Sequence, residues 1–154
     1  MKKFFTILFL LAFGTTINAQ NTIPKLEELL DNEQYEEALK LATQEAQKGD
    51  TYAQSCLGVI YNRGWGVDID YKKAFEYFHK SALHGNYFGQ EGLARCYYNG
   101  EGVEQNYSEA LKWFMKAAEQ GLAIAQCCIG VIYQNGDGVE KKSNRSIQMV
   151  YESG

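Results

Sequence analysis

A single 36-residue unit recurs along this chain with no insertion or gap. The segment from Ala53 to Val67 carries Leu57, Gly58, Tyr61, Gly64 and Gly66. Its features return as Leu93, Ala94, Tyr97, Gly100 and Gly102, and again as Ile129, Gly130, Tyr133, Gly136 and Gly138. A fixed period of this length confines the fold to an array of supersecondary units, each burying its apolar face on its neighbours. Arrays of this kind mostly present surfaces to other molecules.

Each unit reads as two antiparallel helices. Helix A is expected from about Thr51 to Arg63, with Asp50 as its N-cap. Small residues at 53 and 58 sit beside Leu57 and Tyr61 and let the partner helix approach. Gly64 and Gly66 end the helix and permit a sharp reversal, after which Val67 tucks into the core. Helix B is expected from about Tyr71 to His84. Its stripe of Tyr71, Ala74, Phe75, Phe78 and Ala82 follows helical spacing and faces helix A. Tyr107, Ala110, Leu111, Phe114 and Ala118 repeat that stripe, with Asn106 and Glu109 as a capping-box pair. The same register places Tyr35–Lys48 as an earlier helix B, preceded by a short helix from Ile23 to Leu30.

The pattern A-x-x-x-L-G-x-x-Y-x-x-G-x-G-V, followed by K-A-x-x-x-x-x-K-A-A-x-x-G, resembles the Sel1-like repeat, a relative of the tetratricopeptide repeat. Residues 51–86 and 87–122 match it nearly throughout. Residues 123–139 match a first half, and 35–49 a second half. The resemblance implies an all-α, right-handed α-solenoid of antiparallel helix pairs that serves as an adaptor in signalling or envelope processes. Residues 20–50 then form N-terminal capping helices, and 123–154 a partial, degenerate or frameshifted third repeat.

The start of the chain has a different character. Lys2-Lys3, the mostly apolar stretch Phe4–Phe13 and the small residue Ala19 form a secretory signal peptide over residues 1–19, with cleavage before Gln20. The apolar run is about half of the roughly 20 residues that a membrane span needs. Export places the mature chain in the periplasm or outside the cell. Removing Lys2 and Lys3 leaves 13 basic residues against 19 acidic ones, a net charge of −6. That balance, with no basic run, argues against nucleic acid and against a basic membrane-surface role.

An oxidising compartment permits disulfides among Cys56, Cys96, Cys127 and Cys128. Their register favours core packing for Cys56, Cys96 and Cys128, and exposure for Cys127. A bridge from Cys96 to Cys127 or Cys128 stays open as an alternative. Adjacent Cys127-Cys128 lacks zinc-ligand spacing. Gly64-Trp65-Gly66 is a turn rather than a phosphate loop, so no cofactor or metal is expected.

By analogy with tetratricopeptide-like solenoids, helix A lines the concave surface, the candidate groove for a protein or peptide partner. Its candidates are Tyr52, Ser55, Val59 and Asn62 from the first helix A. Phe88, Glu91, Arg95 and Tyr98 come from the second, and Ile124, Cys127, Val131 and Gln134 from the third. Aromatic and Arg side chains suit binding anchors, although Tyr52 and Phe88 also fit simple packing between repeats. A second reading is an enzyme. Cysteine-rich secreted relatives have been linked to β-lactam binding, but the cysteine position near the end of their helix B holds Ala82 and Ala118 here. His79 and His84 lack a neighbouring nucleophile motif, so no catalytic activity is expected. A third reading is a structural piece of an envelope assembly that self-associates through the open end.

The tail breaks the register. Ser143–Gly154 stands where a helix like Asn106–Ala117 is due. The tail can be encoded so that reading one base later gives Gln-Ile-Glu-Ala-Phe-Lys-Trp-Tyr-Met-Lys-Ala, which follows the due helix in register. A frameshift, in the gene or in its recorded sequence, is therefore favoured over a natural capping repeat. The present tail lacks the stripe that would cover the third helix A, so Ile129, Ile132 and Tyr133 are expected to be partly exposed.

Overall fold

A computed structural model describes residues 19–140. Seven α-helices of 13 residues run through them. They are α1 Ala19–Asp31, α2 Tyr35–Gln47, α3 Thr51–Arg63, α4 Tyr71–Leu83, α5 Tyr87–Asn99, α6 Tyr107–Glu119 and α7 Ala123–Asn135. Among the described residues there is no strand. The chain is an α-solenoid in which α3, α5 and α7 are the A helices and α2, α4 and α6 the B helices. The expected cut after Ala19 falls at the first residue of α1, which begins earlier than the expected Ile23. The signal-peptide residues 1–18 and the tail 141–154 lie outside the described residues.

Helix boundaries follow from caps. Asp50 Oδ1 accepts from the Ala53 N–H at 2.7 Å, and Asn86 Oδ1 from those of Phe88 and Gly89 at 3.0 and 3.1 Å. Asp70 and Asn106 cap α4 and α6 in the same way. The expected capping box at Asn106 forms by half. The Glu109 N–H donates to Asn106, but the Glu109 carboxylate pairs with Lys112 at 3.0 Å instead. The A helices stop at Gly64, Gly100 and Gly136, all left-handed with φ of 71°, 74° and 78°. That conformation is cheap only for glycine.

The core is distributed along the array, as nearest-neighbour stacking requires. One cluster joins Leu26 of α1 with Ala42, Leu57 and Ile60. The next gathers Ala74, Phe78, Ala82, Leu93 and Cys96, and the third Ala94, Ala110, Phe114, Ala117, Ile129 and Ile132. Phe78 shows why small residues recur. A methyl group at Gly58 of α3 or at Gly92 of α5 would collide with its ring, so the ring sits in a notch built by two consecutive A helices.

Two core expectations need correction. Ile129 and Ile132 are 3% and 1% exposed, because Phe114 and Ala117 of α6 share their cluster; only Tyr133 is half-buried. Tyr71, placed on the apolar stripe, is 42% exposed. Its counterparts have ring partners: Tyr35 stacks on Trp65 at 5.3 Å, and Tyr107 meets Tyr98 at 5.3 Å. The equivalent positions around Tyr71 hold Glu101 and Asn62, which offer no ring.

The second loop glycine has a role that local periodicity does not reveal. Gly66, Gly102 and Gly138 each lie against the first residue of the preceding repeat's helix B, namely Tyr35, Tyr71 and Tyr107. At Gly102 a Cβ would strike the Tyr71 backbone. The glycine therefore lets each loop seat on the repeat before it.

Candidate functional site

The A helices carry two cavities related by the 36-residue register. The first, of about 80 Å³, is lined by Val59, Asn62, Arg63, Phe78, Glu91, Gly92, Arg95, Cys96 and Glu101. The second, of about 310 Å³, is lined by Arg95, Tyr98, Asn99, Phe114, Cys127, Cys128, Val131 and Ile132. Every residue of the second stands 36 positions after one of the first. The cavities thus differ only in what fills a common frame.

The first cavity is filled by its own charges. Arg95 Nη1 lies 3.4 Å from Glu91 Oε1. Burial raises the Glu91 carboxyl above its ordinary range, and the Arg95 charge opposes that. At the corresponding positions the second cavity has Cys127 and Val131. Neither is long enough to cross the opening; Val131 stays 48% exposed and Cys127 exposed. Phe114 and Ile132 form the floor. The Cys128 thiol, half-buried beside it, is pushed up by burial and then by the Glu91 carboxylate.

A polar clasp flanks both cavities. Asn62 Nδ2 donates to Glu101 Oε2 at 2.9 Å, and Tyr98 Oη donates to Asp137 Oδ2 at 2.7 Å. Each loop acid also receives a bond from its own repeat: Asn99 Nδ2 to Glu101 at 3.2 Å, and Asn135 Nδ2 to Asp137 at 3.2 Å. Accepting the phenol proton raises the Tyr98 pKa. Two expected groove residues are thus engaged between repeats, an arrangement visible only once residues 39 positions apart are seen together.

The remaining candidates divide. Val59, Glu91 and Arg95 line the cavities. Tyr52 and Phe88 meet edge to face at 5.8 Å, and Tyr87 lies 4.4 Å from Phe88. Tyr52 Oη donates to Glu27 Oε1 at 3.1 Å, and burial raises the Tyr52 pKa. Phe88 is 39% and Ile124 51% exposed, and Gln134 is exposed. Ser55 is a correction. It is 4% exposed, and its hydroxyl donates to the Tyr52 carbonyl at 2.7 Å. A short side chain satisfied on its own helix does not reach the groove.

Cys56 and Cys96 are buried, and burial pushes both thiols up to about 12. His79 stacks on Phe75 at 5.8 Å, and His84 Nδ1 holds the Lys80 carbonyl at 2.8 Å. Among the described residues no cluster of His, Cys, Asp or Glu could hold a metal ion. None of their helices is long and apolar enough to cross a membrane.

The paired helices, stacked loops and repeated cavities define a helical-repeat solenoid. The Sel1 repeat model matches residues 51–86, 88–122 and 123–149, and the chain belongs to the Sel1 repeat family. The crystal structure of a Sel1 repeat protein from Oxalobacter formigenes is 30% identical with a TM-score of 0.73, over 83% of this chain and 51% of that one. A protective antigen of uropathogenic Escherichia coli with an SLR fold, c5321, is 35% identical with a TM-score of 0.62, over 68% of this chain and 22% of that one. Helicobacter pylori cysteine rich protein B, at 22% identity and a TM-score of 0.57, shares the fold over 76% of this chain and 99% of its own. The chain spans about half the length of the first of these and about a fifth of the second. No curated protein matches it.

Proposed function

We propose that this chain is a non-enzymatic scaffold of the cell envelope or exterior that binds a protein or peptide partner along its concave face. The observation that carries this reading is the contrast between the two homologous cavities. One is occupied by the Glu91–Arg95 pair; the other keeps an apolar floor and an open mouth. A volume of about 310 Å³ lies at the small end of the ligand-pocket range and suits one large apolar side chain of a partner. Sel1 repeats generally mediate protein interactions, which agrees with this use. The envelope assignment rests on the signal-peptide features of residues 1–19.

Catalysis has little support. The two imidazoles are committed to Phe75 and to a backbone carbonyl. The buried thiols of Cys56 and Cys96 are held protonated, and the thiolate is the reactive form. The β-lactam reading gains nothing from this arrangement.

The double variant Cys127→Glu with Val131→Arg tests the proposal, because it fills the second cavity as the first is filled. Bait prepared from wild type should capture a specific partner from envelope extract, and the double variant should lose it while keeping its helical circular dichroism. Unchanged capture would place the contact at the ends or the convex face and overturn the groove. Hydrolysis of a β-lactam by pure protein, abolished by one substitution, would overturn the non-enzymatic reading.

A further inference from the structure

Resting on the groove reading, the geometry points to a second subsite, built from Glu27, Tyr52, Tyr87 and Phe88, that takes a cationic side chain of the same partner. Three observations meet there. The rings of Tyr52, Phe88 and Tyr87 form one cluster, with Phe88 39% and Tyr87 38% exposed. The Glu27 carboxylate is tied to that cluster by the Tyr52 hydroxyl at 3.1 Å. Lastly, this chain covers other rings with its own lysines. Lys73 lies over Tyr61, Lys80 over Tyr77 and Lys116 over Trp113, at 5.1, 5.6 and 4.1 Å from the centroids. Among the described residues no lysine or arginine covers Tyr52 or Phe88.

Aromatic faces beside a carboxylate attract a cation twice, through the ring quadrupole and through charge. An edge-to-face pair leaves the faces of the edge-donating ring free of the other ring. The net charge of −6 left after removal of Lys2 and Lys3 (13 basic against 19 acidic residues) adds a long-range pull on basic segments. An anionic side chain would meet Glu27 and be repelled.

The register sets the distance between the two subsites. From Phe88 to Arg95, at the mouth of the open cavity, is about 10 Å along α5, at roughly 1.5 Å per residue. Crossing to α7, which packs on α6 rather than directly on α5, adds more than the roughly 9 Å between packed helices. The diagonal therefore exceeds about 14 Å, or roughly four residues of extended chain. The partner segment is thus extended, with a basic residue and a large apolar residue at least about four positions apart.

Short fluorescein-labelled Gly/Ser peptides test this by anisotropy. One series carries Arg and Phe about four to seven positions apart, in either order. Controls replace Arg with Glu, replace Phe with Ser, or place Arg and Phe side by side. The spaced Arg/Phe peptide should bind about tenfold tighter than the Glu/Phe peptide, and added salt should narrow the gap. Glu27→Gln preserves an acceptor for the Tyr52 hydroxyl while removing the charge. It should bring the Arg/Phe peptide close to the Ser-for-Arg level without changing the melting temperature. Equal binding of Arg/Phe and Glu/Phe peptides, both lost in Cys127→Glu with Val131→Arg, would overturn the cationic subsite and leave the groove standing. Binding by none of the peptides would overturn the groove reading, and this inference with it.

Discussion

Tyr98 reaches forward 39 residues to donate its phenol proton to Asp137, at 2.7 Å. Asn62 makes the equivalent reach to Glu101. The side chain differs, phenol against amide, but the frame holds the same pair of positions.

Removing the hydroxyl should loosen the joint between the second and third repeats. Tyr98→Phe is expected to cost about 1 kcal/mol, the usual net contribution of one hydrogen bond. Urea unfolding at neutral pH measures it. An unchanged midpoint would mean that the clasp adds nothing to stability.

Two glycines of the A helices should respond in opposite directions. Gly92→Ala drives a methyl into the Phe78 ring and is expected to cost about 1–3 kcal/mol by overpacking. Gly130 meets nothing within 4 Å among the described residues, so Gly130→Ala should gain up to about 1 kcal/mol from helix propensity. Paired thermal melts decide. A loss at Gly130 would show that something packs into that notch.

Gln54 lacks a partner that its counterpart has. Gln90 Oε1 accepts from Gln120 Nε2 at 2.8 Å, whereas the buried Gln54 Oε1 has no donor among the described residues. The residue equivalent to Gln120 is His84, whose Nδ1 is held by Lys80. His84→Gln supplies the matching amide and should stabilise by about 1 kcal/mol. Denaturant unfolding of this variant beside wild type is the check, and a lower midpoint would contradict it.

Glu91 should make stability depend on pH. Burial raises its carboxyl pKa above 4.5, with Arg95 opposing, so the folded chain keeps that proton to higher pH than the unfolded chain does. The resulting stabilisation is full below the ordinary carboxyl pKa and is lost as pH rises through the raised value. Gln cannot ionise. Glu91→Gln should therefore gain on wild type as pH rises from about 4 to about 7. A difference that is flat or falls over that window would refute this.

The tail makes a prediction about the gene. If Ser143–Gly154 arose by a frameshift, the codons for these residues must read, one base later, as a helix resembling Asn106–Ala117. That frame should also continue past the present end. Sequencing the locus checks it, and an immediate stop in the shifted frame would end the idea. The Sel1 match itself extends to residue 149.

Much of the fold was legible because caps and glycines sit at fixed offsets. Thr51–Arg63 is the helix expected, and Tyr71–Leu83 stops one residue short. The burial of Cys56 and Cys96 followed from sharing positions with glycine and isoleucine. The site was harder to read. Ser55 satisfies itself on its own backbone, while Asn62 and Tyr98 pair with acids in the next repeat. Helical periodicity identifies the face a residue occupies, but not which distant side chain will claim it. The contrast between a filled and an open cavity emerged only when Glu91 and Arg95 were set against Cys127 and Val131.

The forward reach of the clasps also gives the chain a temporal order. Asn62 and Tyr98 are synthesised 39 residues ahead of Glu101 and Asp137. At roughly 5–20 residues per second, each waits several seconds for its acceptor. During that interval the newest repeat can pack on the one behind it, yet its front edge stays unfastened. Emergence from the N-terminus onward, from the ribosome or from an export channel, thus favours closing the array one joint at a time.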